Sequence, residues 1–419
     1  MQAEIITIGN ELLIGQVVDT NSAFIAEKLR EAGVELTRIT TVSDKRDTIT
    51  LALTEAMKRS ELVLMTGGLG PTNDDITKSV LMDLFGGGLV ESQQVLADLK
   101  RFLSRAGIPL NANNRSQALV PENCQVIRNP VGTAPILWFD RNQRVVVAMP
   151  GVPLEMKTAL TGEIIPRIRE LYPLHVLISQ TIRVAGYAES VLAERLGDWE
   201  AALPKGVSLA YLPSYGQIRL RLDATGESAE VLKKVLDHEI GKLKIILGKA
   251  VFAWEDIELQ EAIGRLAVAS AVTFSTAESC TGGLIGHLVT SIPGSSAYFL
   301  GSVVAYDNRV KSGVLGVDSV VIDSRGAVSA EVAEQMAEGI RRLTGSDYGL
   351  STTGIAGPGG GTPEKPVGTV WVAVSGPSGT VSKQFGFSGS RMQNIQISAQ
   401  FALNMLRLRL LADRSPGLE

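Results

Sequence analysis

The chain has 419 residues, room for roughly two to four domains of ordinary size, with a formal charge of -4, 45% hydrophobic and 20% charged residues. That balance belongs to globular protein and excludes a disordered chain. Only two cysteines, Cys124 and Cys280, and three histidines, His175, His238 and His287, are present. A disulfide framework and a Cys-based zinc site are therefore excluded, and any Ser-His-Asp centre has three candidates. The start, MQAEIITIGNELL, lacks the basic and apolar regions of a signal peptide, and no apolar run approaches the ~18 residues of a membrane span. No long Lys/Arg run supplies the basic footprint of a dedicated nucleic-acid binder. The expectation is a cytoplasmic protein with no membrane and no specific nucleic-acid partner.

In chain order, Glu4 to Ile8 reads as a buried strand, followed by a Gly-Asn-Glu loop and a helix to about Glu31 capped within Thr20-Asn21-Ser22. Val34 to Val42 alternates as a strand, Asp44 to Arg59 reads as a helix, and Glu61 to Met65 is a strand running into TGGLGPTNDD and a helix from near Asp74. Val145 to Met149 leads through PGVPLEM to a helix ending near Leu171. Strands separated by helices predict a mainly parallel sheet with helices on both faces. Tyr172-Pro173 reads as a joint, and the strands His175 to Val184, Val207 to Leu212 and Gln217 to Leu222, with helices near 189–196 and 229–245, make a small α+β block. A further α/β unit closes the chain. Its strands are Val272 to Thr276, Ser302 to Tyr306 and Tyr348 to Thr352, then come a hairpin and a long helix from about Met392. The expected division is 1–171, 172–253 and 254–419.

Ser279 stands between a strand and Cys280-Thr281-Gly282-Gly283, where a helix begins. A hydroxyl there is either a helix cap or a nucleophile whose oxyanion meets the following backbone N–H groups and the helix dipole. His287, eight residues on, falls about two turns (~12 Å) away and is a poor base. Tyr306 and Lys311 lie at the end of the next strand and the start of the next helix, so the C-terminal edge of a parallel sheet brings them towards Ser279. A desolvated lysine beside a tyrosine activates a hydroxyl without histidine. Gly354-Ile355-Ala356-Gly357 is either a tight turn or a set of backbone donors for a phosphate or amide, and Arg391 could reach an anionic ligand.

AESCTGG, GSVVAYDNRVK, STTGIAGPGGGTPEKPVGTVWVAV and FSGSR, in this order over about 150 residues, resemble the nicotinamide-nucleotide amidase domain of the competence/damage-inducible protein A (CinA) family. The resemblance implies hydrolysis of nicotinamide mononucleotide to nicotinic acid mononucleotide and ammonia by Ser279, Tyr306 and Lys311, with no cofactor. On the matching motifs it also implies substrate contacts from Thr281, Gly283, Asn308, Gly354, Ala356, Gly357 and Arg391.

At the other end, Gly67-Gly68-Leu69-Gly70 follows a strand and can cradle a phosphate. Glu11, Asp19, Asp74, Asp75 and Glu155 are carboxylates on loops expected at the same sheet edge. They either hold a Mg²⁺-like ion or serve as helix caps and solvated groups. With NANNRSQALVP and NPVGTAP, these clusters resemble the family's N-terminal domain, which is similar to molybdopterin-binding (MoaB/MogA-like) domains. The resemblance implies ADP-ribose pyrophosphatase activity with a divalent metal (Mg, Mn or Co). The site would comprise Glu11, Asp19, Gly67, Gly68, Gly70, Thr72, Asp74 and Asp75, with the metal on Asp74, Asp75 and Glu155. One position departs from the motif, Ile136 standing where a Gly is expected after Pro135. The middle block resembles the family's KH-like connector but carries no G-x-x-G loop for nucleic acid. The resemblance also implies a homodimer. Two alternatives stand beside this reading: an N-terminal module that binds without catalysing, and a non-enzymatic partner protein in competence or DNA damage.

Overall fold

The computed structural model describes residues 1–72, 75–105, 107–141 and 143–414. Asp74 lies outside the described residues. The chain forms two compact units, residues 1–178 with 225–232, and residues 179–224 with 233–419. The block read as a connector is thus divided, most of it lying in the second unit.

The first unit is built on a six-stranded sheet. Its strands run in the order Glu35–Val42, Gln2–Ile8, Leu62–Thr66, Arg144–Met149, Ile136–Arg141 and Gln125–Ile127. The first four are parallel and the last two antiparallel. The central strands bury both faces by simple alternation. Ala3, Ile5, Leu62, Leu64, Val145 and Val147 enter one core, while Ile6, Ile8, Val63, Met65, Val146 and Ala148 enter the other. Ile136 is fully buried in the first of these cores, so the departure from the expected glycine fills the core and does not reshape the loop before it. Glu4 is the one charged side chain inside a central strand. Its carboxylate takes two hydrogen bonds from Arg59, both 2.9 Å, which hold its pKa below the ordinary value.

In the second unit, a four-stranded sheet runs Val207–Ser214, Gln217–Gly226, Val176–Ala185 and Val251–Ala253. A five-stranded sheet runs Phe299–Val304, Phe274–Glu278, Tyr348–Gly354, Thr369–Gly376 and Gly379–Gly386. Its first three strands are parallel and the hairpin at the end is antiparallel. The closing helix, Arg391–Arg414, packs Ala399, Ala402, Leu403 and Leu406 into the core formed with Phe274, Leu350 and Val372. Ser329 caps the helix Ala330–Thr344, which ends on Gly345 in the left-handed conformation. No helix among the described residues is long and apolar enough to cross a membrane.

Candidate functional site

Strand register places the C-terminal site. Glu278 pairs with Val304 on one side and Thr352 on the other, and the ladder continues one step, Ala305 N–H donating to Glu278 O and Ser279 N–H to Thr352 O. The three strand ends therefore finish level with Ser279 between them. Lys311 comes from the short helix Asn308–Gly313, which Asp307 caps through Arg309 N–H. Its side chain turns inward and is 1% exposed. Its Nζ lies 3.2 Å from Ser279 Oγ, 2.8 Å from Ala305 O and 3.1 Å from Tyr306 O.

Burial at this position shifts the amine towards its neutral form, pulling the Lys311 pKa below its usual value against weaker attractions only. A neutral amine has two N–H bonds, matched by the two carbonyls, and one lone pair, left facing the Ser279 hydroxyl. Cys280, the neighbouring thiol, is buried and pushed up to about 12, so it stays protonated beside the serine.

A cavity of about 190 Å³ opens on this pair, lined among others by Asn308, Gly354, Ala356 and Arg391. Tyr306 lines the same cavity as Ser279 and Lys311. It is 62% exposed at the rim and its phenol accepts a hydrogen bond from Arg391 Nη2 at 3.1 Å, while the tyrosine's carbonyl holds Lys311. Arg391 Nη1 also donates to Gly357 O at 2.7 Å, and buried Asn394 donates to Ala356 O, so the start of the last helix fastens the 354–357 loop. Gly357 meets the site through that carbonyl and is not a wall of the cavity; Thr281 and Gly283 also lie outside it. Thr281 instead shares a 2.7 Å hydrogen bond with Thr352.

The helix N-terminus after Ser279 is occupied from within the protein. Fully buried Glu278 accepts from the N–H groups of Gly283, Ile285 and Gly286 at 3.0, 3.0 and 2.8 Å, and from Ser302 Oγ at 3.2 Å. An internal carboxylate thus takes the helix dipole's positive end at Gly283, Ile285 and Gly286, and the N–H groups nearer to Ser279, those of Cys280 and Thr281, are not among its donors. Glu278 and Asn394 are the residues the sequence reading missed. Nothing local marked the role of either.

In the first unit, a cavity of about 370 Å³ lies at the expected sheet edge, lined among others by Glu11, Gly67, Gly68, Gly70, Asp75 and Glu155. Gly67 has φ +110°, and a Cβ there would stand 2.2 Å from Ile8 O, so only glycine fits. Its N–H already donates to Met149 O. Asp75 accepts from Thr72 N–H at 2.9 Å and Thr72 Oγ1 at 2.5 Å, closing a local turn. Glu155 accepts from Asn129 Nδ2 at 2.6 Å, and burial raises its carboxyl pKa. Asp19 caps the helix Thr20–Glu31 and, like Thr72, is not part of the cavity wall. Of the three residues expected to hold a metal, Asp75 and Glu155 line this cavity and Asp74 lies outside the described residues, among which no three His, Cys, Asp or Glu side chains gather in a way that could hold a metal ion. Asp44 and Gln117 line this cavity without having been singled out. Gln117 is buried, and among the described residues its Oε1 has no hydrogen-bond partner.

Comparison with known proteins follows the same division. Residues 4–170 match the family described as a probable molybdopterin binding domain, 179–253 the damage-inducible protein CinA KH domain, and 256–410 the CinA C-terminal domain. A CinA-like protein from Cytophaga hutchinsonii is 44% identical over 97% of this chain and 98% of its own length. One from Flavobacterium psychrophilum is 40% identical over 99% of this chain and all of its own. The crystal structure of the CinA protein of unknown function from Thermoplasma acidophilum is 35% identical over 41% of this chain and 98% of its own, with a TM-score of 0.37. The molecule is a multidomain α/β protein with a molybdopterin-binding-like domain at its N-terminus. It belongs to the CinA-like family.

Glu278→Ala leaves three N–H groups and a hydroxyl without their acceptor. It is expected to destabilise the protein by on the order of 3 kcal/mol in urea unfolding. A change within about 0.5 kcal/mol, the size of an ordinary surface substitution, would contradict the capping role.

Proposed function

We propose that the C-terminal site hydrolyses the carboxamide of nicotinamide mononucleotide to the carboxylate and ammonia. The observation that carries this reading is the buried Lys311 amine 3.2 Å from Ser279 Oγ, an activated hydroxyl that needs neither histidine nor cysteine. In this mechanism Ser279 Oγ bonds to the carboxamide carbon as its proton passes to Lys311 Nζ. The tetrahedral adduct then expels the amide nitrogen, which takes that proton and leaves as ammonia. Water, deprotonated by the same amine, attacks the resulting Ser279 ester, and the acid departs with the serine hydroxyl restored. The cavity is smaller than pockets that enclose a drug-sized ligand, so it suits the pyridine carboxamide, with the phosphate towards Arg391 and the Tyr306 phenol at the rim.

The reading fixes a sign for pH. Burial depresses the Lys311 pKa below 10.5, and the neutral form is the active one. Activity therefore rises with pH through the depressed value, which lies below that of a free lysine, and levels off above it. Ammonia release should show this single acid limb. Lys311→Met and Lys311→Arg should each lose about 10²- to 10⁴-fold, the arginine because it cannot give up its proton. An active Lys311→Arg variant, or a profile without the limb, would remove the amine from the mechanism.

For the first unit, the glycine-cradled cavity and the unpartnered buried Gln117 Oε1 favour a phosphorylated ligand that also carries a donor for the amide. ADP-ribose is the ligand class this reading takes, binding being better supported than cleavage. Asp75→Ala, which opens the Thr72 turn at the cavity wall, should weaken ADP-ribose binding in calorimetry at least about tenfold and leave ammonia release intact. Unchanged ADP-ribose affinity would separate this cavity from the ligand.

A further inference from the structure

The second unit holds a cavity of about 400 Å³ away from Ser279, between the 185–187 turn, the 247–250 turn and the last helix. Its walls include Arg407, Lys249 and Lys383 and no carboxylate. Arg407 is 3% exposed. Its Nε and Nη2 donate to Asn404 Oδ1 at 3.0 and 2.8 Å, Nη2 also to Lys249 O at 2.8 Å, and Nη1 to Val251 O at 3.3 Å. Every one of these acceptors is neutral. Burial without a counter-charge pulls the guanidinium down to about 10, and among the described residues none of the three cations is paired with a carboxylate.

A second large cavity in this unit makes the contrast plain. It is lined by Arg183 and Arg219, but Arg183 meets Glu258 at 2.5 Å and Arg219 meets Asp256 at 3.3 Å, so its charge is balanced from inside. The Arg407 cavity has positive charge left over. It also has flat apolar walls. Phe385 and Phe401 stand edge to face at 5.0 Å, Lys383 lies over the Phe385 ring at 5.3 Å, and Tyr187 closes the side of the 185–187 turn. Gly186, at φ +83°, keeps that turn close to Asn404.

We propose that this cavity binds a mononucleotide, its phosphate on Arg407, Lys249 and Lys383 and its base against Phe385, Phe401 and Tyr187. Unbalanced cations call for a multiply charged anion, an aromatic wall for a planar ring, and the volume lies within the range of small-ligand pockets. The site is separate from the amidase centre on the same helix. Arg391, at the amidase rim, and Arg407 are about 24 Å apart along its axis at 1.5 Å per residue.

The test is lysine acetylation of the full chain, read by mass spectrometry at Lys249 and Lys383, with AMP, adenosine or inorganic phosphate present. AMP should protect both lysines saturably, with adenosine and phosphate at the same concentration leaving them reactive. In Lys383→Glu, an exposed strand position, the AMP concentration that half-protects Lys249 should rise about tenfold. Three results would overturn the assignment: no protection by AMP, equal protection by phosphate alone, which marks a plain anion patch, or equal protection by adenosine, which marks an apolar groove.

Discussion

The proposed chemistry turns on one desolvated amine. Lys311 is out of water, its two carbonyl partners are part of the backbone, and the remaining neighbour is the Ser279 hydroxyl. An ammonium in that position would carry an unpaired charge into the interior, at considerable cost. A neutral amine satisfies every partner it has. The surrounding structure maintains this condition: the parallel register brings three strand ends level, the Ala305 and Tyr306 carbonyls fix Nζ, and Glu278 holds the turn after Ser279 by taking the helix N-terminus for itself.

The first unit obeys the opposite rule. Its cavity is rimmed by carboxylates, yet those at its heart are already hydrogen-bonded locally, Asp75 to Thr72 and Glu155 to Asn129. Through these bonds Asp75 and Glu155 shape the cavity wall. What is left without a partner there, among the described residues, is an amide oxygen, Gln117 Oε1. That difference is why the two ends of the chain support different kinds of reading, a reaction at one and recognition at the other.

Much of this was legible in the sequence because it depends on periodicity and on strand ends. The buried run from Glu4 to Ile8 and the convergence of Ser279 with Lys311 follow from local pattern and parallel topology, whereas the helix expected to be capped within Thr20-Asn21-Ser22 is capped one residue earlier, by Asp19. The direction of a side chain at a strand end does not follow from these. Tyr306 was placed at the right edge, and its phenol meets Arg391, on a helix that begins 85 residues later. Glu278 and Gln117 were invisible for the same reason. Their importance lies in being buried with, or without, partners that only the tertiary fold supplies. The sheet edge formed by Ile136–Arg141 and Gln125–Ile127 was also missed, because antiparallel additions to a parallel sheet need no intervening helix to announce them.

The most direct test of the central claim is ammonia release from nicotinamide mononucleotide by wild type and by Ser279→Ala, each with and without a chelator. The account predicts release that persists in the chelator and disappears in the variant while its circular dichroism is unchanged. Release that survives in folded Ser279→Ala, or none from wild type, would contradict it.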